Sequence, residues 1–133
     1  MISETAMNTP SKRILVVDDS TTTRLYLRRL LTGWGYQVEE AVTGYEGMEK
    51  ALDSPFDLIL TDINMPTMNG YAMTTALRKE PAAQSVPIIT SSTESKDQDM
   101  ARAYAAGANL YLVKPIQPDT LRHYVTFTIG EAT

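Results

Sequence analysis

Five short apolar runs, separated by stretches of helical periodicity, constrain the fold of this chain more than any other feature. They lie at residues 14–17, 37–42, 58–60, 86–90 and 110–113, the second being the weakest. The runs are rich in β-branched residues and lack strict apolar–polar alternation, which suits strands buried on both faces. Between them, apolar residues recur at three- and four-residue steps: Leu27, Leu30, Leu31 and Trp34, then Met48, Ala51 and Leu52. Thr43 with Glu46 three positions on forms a capping box at the head of the second helix. A third helix is predicted over 71–79, after the turn PTMNG, and a fourth over 97–106, closed by Gly107. Leu121, Tyr124, Val125, Thr128 and Ile129 form the apolar stripe of a fifth helix. Five strands alternating with five helices predict an α/β fold, a doubly wound five-stranded parallel sheet between two helical layers, three layers in all.

The length of 133 residues fits one domain and suffices to bury a core without staples. Twelve basic against 16 acidic side chains give a formal charge of −4, which argues against non-specific nucleic-acid binding. The absence of cysteine excludes a disulfide framework, a thiolate metal site and a cysteine nucleophile. A single histidine, His123, excludes clustered-histidine metal sites; it lies off the apolar stripe of the last helix and is expected to be solvated. No apolar run approaches the ~20 residues of a membrane span, and the opening MISETAMNTPSK lacks the order of a signal peptide. Residues 1–11 are polar and aperiodic, and are expected to form a disordered lead-in to a folded unit over 12–130. The expected setting is cytoplasmic.

In an open α/β sheet, ligands bind beyond the carboxyl ends of the strands. There this sequence places Asp18 and Asp19 after the first run, Asp62 and then Asn64 after the third, Ser91 and Ser92 after the fourth, and Lys114-Pro115 after the fifth. Three carboxylates brought together repel by about 4 kcal/mol per pair at 4 Å and an effective dielectric of 20. A hard divalent cation with oxygen ligands, Mg²⁺ above all, would relieve that repulsion. A carboxylate beside Mg²⁺ and an ammonium is placed to attack phosphorus, giving a labile and therefore reversible aspartyl phosphate.

VVDDS at 16–20, LTDINMPTMNG at 60–70, VPIITSST at 86–93 and LVKP at 112–115 resemble, in order and spacing, the response-regulator receiver (CheY-like) family. The resemblance extends over nearly the whole chain and implies a flavodoxin-like sheet. It implies that Asp62 is the phosphoacceptor, that Asp19, Asp62 and the Asn64 backbone carbonyl ligate Mg²⁺, and that Asp18 acts through water. It further implies that Lys114 contacts the phosphoryl group across a cis bond to Pro115, that Ser92 is the switch hydroxyl, and that Tyr111 swings inward when that hydroxyl engages phosphate. Ser92 is preferred to Ser91 on family spacing alone. Ser92 stands where threonine is more frequent, and Thr93 where a smaller residue is usual; the bulkier side chain is expected to slow loss of phosphate.

The function so implied is a phosphoaccepting response regulator of a two-component or phosphorelay system, a switch and not an enzyme with a substrate of its own. Its phosphoryl donor would be a histidine kinase or phosphotransfer protein. Its output would be a downstream protein docking on the 95–129 face, with the chain a monomer or a phosphorylation-dependent dimer, serving as a chemotaxis-type messenger or a relay intermediate. No DNA-binding or catalytic domain is expected after Thr133, so the output is expected to be a docking event. A haloacid-dehalogenase-like phosphatase would instead want Asp-x-Asp at the nucleophile, where position 64 is Asn, and an acidic pair after the lysine. A receiver that docks without phosphorylation is the remaining alternative. Asp18-Asp19 as a plain helix cap and Trp34 as a lid on the lower edge of the core are the structural readings.

Overall fold

All five predicted strands pair in parallel, in the order β2-β1-β3-β4-β5, in a computed structural model that describes residues 10–133. Except for Pro10 and Ser11, the expected lead-in lies outside the described residues. In chain order the elements are β1 (Arg13–Val17), α1 (Thr21–Gly33), β2 (Gln37–Ala41), α2 (Gly44–Asp53), β3 (Leu58–Asp62), α3 (Gly70–Leu77), β4 (Ile88–Ser92), α4 (Asp97–Ala106), β5 (Leu110–Val113) and α5 (Pro118–Ile129). The strand order reverses between β1 and β3, and at such a reversal the flanking connections part to leave a crevice at the carboxyl edge.

The pattern of burial explains why the sheet is central. Residues 14–17 of β1 and all of β3 and β4 are buried, so successive side chains fill cores on opposite faces. Ile14, Val16, Leu58 and Leu60 pack with Leu27 and Leu31 of α1 and Leu121 and Val125 of α5. Leu15, Val17, Ile59 and Ile88 pack on the other face with Ala51 of α2 and Met73 and Leu77 of α3. Under α4, Ile63, Ala103, Ala108 and Tyr111 form a smaller cluster.

The boundaries differ from expectation where local hydrogen bonding decides them. β4 begins at Ile88, not at 86, because Pro87 has no amide N–H and the Val86 N–H turns back to the Ala83 carbonyl. The strand runs on to Ser92, which pairs with Val113, and β3 continues to Asp62, which pairs with Ser91, so both residues close strands instead of following them. β2 ends one residue early, at Ala41, since the Val42 N–H is taken by the Glu46 carboxylate at 3.0 Å. Thr43 caps α2 by accepting from the Glu46 N–H at 3.0 Å, so the box closes on Val42 and not on Thr43. α3 spans Gly70–Leu77 and not 71–79. Gly107, at φ 112°, caps α4 as expected. His123 is exposed, and Trp34 is half-buried against the α1–α5 side of the core. Among the described residues, no helix is long and apolar enough to cross a membrane.

Candidate functional site

The crevice between β1 and β3 gathers the acidic residues. Val17 is in register with Thr61, so the residues that follow, Asp18 and Asp62, emerge side by side at the carboxyl edge. One carboxylate oxygen from each of Asp18, Asp19 and Asp62 lies within 4.8 Å of the others. Asp18 and Asp62 are buried, while Asp19 faces solvent. The Asp18 N–H donates to the Ala41 carbonyl, and its Oδ1 accepts from the Ser20 N–H at 2.8 Å, which bends the chain into α1. Ser20 then caps that helix by accepting from the Thr23 N–H. The cap is thus Ser20 and not the aspartate pair.

Lys114 reaches the acids from the end of β5, where its peptide bond to Pro115 is cis. Its backbone N–H donates to the Ser92 carbonyl at 2.8 Å, and its Nζ stands 3.1 Å from Asp18 Oδ2 and 3.2 Å from Asp62 Oδ1. Burial pushes the Asp62 carboxyl above its ordinary pKa, and the neighbouring Asp18 adds to this, against the opposing pull of Lys114. Burial by itself would lower the Lys114 pKa, but Asp18 and Asp62 together hold it above the ordinary lysine value. Three carboxylates against one ammonium leave a formal excess of two negative charges, and the donors are all oxygen. That set fits a hard divalent cation such as Mg²⁺.

The two serines of β4 part company here. The Ser91 hydroxyl faces the Thr61 carbonyl at 3.4 Å, within the sheet. The Ser92 Oγ accepts from Asn64 Nδ2 at 3.1 Å and from the Glu94 N–H at 3.0 Å, at the edge where the acids lie. Tyr111 is 6% exposed, its ring lies inward, and its hydroxyl donates to the Glu94 carbonyl at 2.8 Å. Thr93 is exposed beside them. Sequence reasoning did not reach Arg24 and Glu40. Arg24 donates to the Asp18 carbonyl at 2.8 Å and to Glu40 at 3.1 Å, a contact with backbone that no side-chain motif announces.

Comparisons with known proteins agree with this geometry. A family model described as "Response regulator receiver domain" matches residues 14–126. Chemotaxis protein CheY1 of Helicobacter pylori is 38% identical over 121 residues, covering 89% of this chain and 97% of CheY1. Sensor protein EvgS of Escherichia coli is 33% identical over 125 residues, 93% of this chain but only 10% of EvgS. The crystal structure of the receiver domain of sensor histidine kinase PA1611 from Pseudomonas aeruginosa superposes with a TM-score of 0.84 at 28% identity, covering 91% of this chain and 99% of that one; its magnesium ion is coordinated in the active-site cleft. The order of elements and acids is that of the matched family and not that of a dehalogenase-like phosphatase. With the family model spanning all but the edges of the fold, the chain belongs to the response regulator receiver family, the phosphoaccepting switches of two-component signalling.

Proposed function

We propose that Asp62 is the phosphoacceptor of this receiver, in a unit spanning residues 12–130 behind a lead-in over 1–11, and that the donor is a phosphohistidine on a histidine kinase or phosphotransfer protein. An Asp62 carboxylate oxygen would form the bond to phosphorus as the P–N bond breaks, its electron pair returning to the donor imidazole. Asp19, Asp62 and the Asn64 backbone carbonyl would hold Mg²⁺, with Asp18 acting through water. Bound there, the ion would draw charge from the phosphoryl oxygens. Lys114, bridging Asp18 and Asp62 in the resting chain, has an ammonium free to turn toward a phosphoryl oxygen once Asp62 carries one.

Ser92 and Tyr111 are the switch pair in this reading, and Glu94 joins them. Its N–H donates to Ser92 Oγ while its carbonyl accepts from Tyr111, so a shift of the serine moves the tyrosine's partner. The affected surface lies on α4, β5 and α5, where Tyr104, Val113 and Phe127 are exposed, and a downstream protein would dock on that 95–129 face. The chain would act in the cytoplasm as a switch that promotes its own phosphorylation and dephosphorylation, turning over no other substrate. A chemotaxis-type messenger, which the match over nearly all of CheY1 supports, and a relay intermediate would use the same chemistry.

The observation carrying this reading is the convergence of three carboxylates within 4.8 Å with the Lys114 ammonium between two of them. Intact mass spectrometry after incubation with acetyl phosphate tests it. A single phosphoryl adduct that needs Mg²⁺ is expected, absent from Asp62→Asn. An adduct that forms equally in Asp62→Asn, or none at all, would favour a receiver that docks without phosphorylation.

A further inference from the structure

Asp18 is held on every side, and one of its restraints comes from a residue with no part in the chemistry above. Its N–H, Oδ1 and Oδ2 are engaged by the Ala41 carbonyl, the Ser20 N–H and Lys114. Its backbone carbonyl accepts a charge-assisted bond from Arg24 Nη1 at 2.8 Å. Arg24 lies in the first turn of α1, and its side chain is 12% exposed. Its Nε donates to Glu40 Oε1 at 3.1 Å, and the other Glu40 oxygen accepts from Arg28 Nε at 2.7 Å. Arg28 in turn donates to the Val38 carbonyl, and Lys50 donates to the carbonyl of Glu40, so β2 is anchored to both α1 and α2 at this point.

The charges around Arg24 give this anchor a purpose. A guanidinium close behind a cation site would repel the cation; Glu40 faces it directly but is shared with Arg28, so it offsets that charge only in part and the charge of Arg24 by itself does not favour a cation. The hydrogen bond from Arg28, the largest effect, and that from Arg24 together hold the Glu40 carboxyl below its ordinary pKa, so it stays charged. What remains for Arg24 to do at the site is geometric: it fixes the peptide between Asp18 and Asp19. That peptide sets where the exposed Asp19 carboxylate stands relative to the buried Asp62. We propose that Arg24, oriented by Glu40 and offset by it in part, is a positioning residue that preorganises Asp18-Asp19 for the divalent cation. This rests on the Mg²⁺ reading above and adds a residue pair to it.

Isothermal titration of Mg²⁺ into the full chain, with no phosphoryl donor, tests the proposal. Outer partners that orient metal ligands change affinity by about 10–100-fold on removal. Arg24→Ala is therefore expected to bind Mg²⁺ about tenfold more weakly or worse, with Arg24→Lys restoring part of the loss. Glu40→Gln, which leaves the Asp18 contact in place but the guanidinium unbalanced, should also bind more weakly, and its defect should shrink with added salt. Arg13→Ala removes a comparable arginine network at the opposite edge of the sheet, built on Glu39 and the Pro55 carbonyl, and should keep parental affinity. Arg24→Ala binding Mg²⁺ as tightly as the parent, or both arginine variants losing affinity alike, would overturn the proposal. If Arg24→Ala fails to fold, Glu40→Gln decides: parental affinity at low salt would overturn it. A parent that itself binds no Mg²⁺ would instead overturn the metal reading beneath it.

Discussion

Asp62 carries a tension that can be read as stability. Burial, reinforced by Asp18, raises its pKa in the folded chain, so the folded state keeps this proton to higher pH than the unfolded chain does. The stability that this group contributes therefore falls as pH rises from the ordinary aspartate pKa of ~3.9 through the raised folded value. At neutral pH the ionised carboxylate is a net cost. Asp62→Asn keeps the size and removes the charge, and is expected to stabilise the metal-free chain at neutral pH, measured by urea unfolding, with Mg²⁺ narrowing the gap by stabilising the parent. A less stable variant would mean that the Lys114 bridge outweighs burial. Lys114, whose pKa is also raised in the folded chain, has the same sign in a higher window: its contribution is present below the ordinary lysine pKa, intact at neutral pH, and lost only as pH rises through the elevated folded value. At this scale the three aspartates and the lysine were legible because side-chain chemistry at strand ends is written in the sequence. Arg24 was not, because its partner is a backbone carbonyl, and Tyr111 could be named but its inward hydrogen bond to Glu94 could not.

At the scale of elements, α3 meets the end of β3 with no space to spare. A Cβ on Gly70 would lie 2.5 Å from the Asp62 carbonyl oxygen and 2.9 Å from the Ile63 Cα, both backbone atoms that cannot swing aside. Gly70→Ala is expected to cost about 2 kcal/mol or more in urea unfolding and to slow phosphorylation by acetyl phosphate, since relief requires moving the end of β3. Unchanged stability and rate would show that α3 can shift without disturbing Asp62. The alternation of strands and helices was legible from periodicity, and so was Gly107 as a cap. The start of β4 was not, because the apolar run continues through Val86 and Pro87 although a proline cannot donate to the ladder. A run of apolar residues reports burial, and only the hydrogen-bond partners report where pairing begins.

The whole molecule separates its working edge from its supporting edge. Trp34 closes α1 at the edge opposite the carboxylates, with the Arg122 guanidinium 5.4 Å over its ring. On the same edge, the Lys12 N–H donates to the Ala132 carbonyl at 2.8 Å and the Tyr36 hydroxyl to the Gly130 carbonyl at 2.6 Å, which ties the segment after α5 to the starts of β1 and β2. Trp34 emission is therefore expected to stay constant as Mg²⁺ or acetyl phosphate is added; a saturable change, lost in Asp62→Asn, would show that the two edges are coupled. The parallel sheet and its carboxyl-edge site follow from topology, which is why four segments distant in sequence are assignable to one place from their strand ends alone. The claim that unites these scales is that the site puts a phosphoryl group on one particular carboxylate. Acyl phosphates are reduced by borohydride to the alcohol, so treatment after acetyl phosphate and Mg²⁺, followed by peptide mass mapping, marks the acceptor. Conversion at Asp62 alone, and only with Mg²⁺, is the expected result; conversion at Asp18 or Asp19, or at Asp62 without the metal, would contradict it.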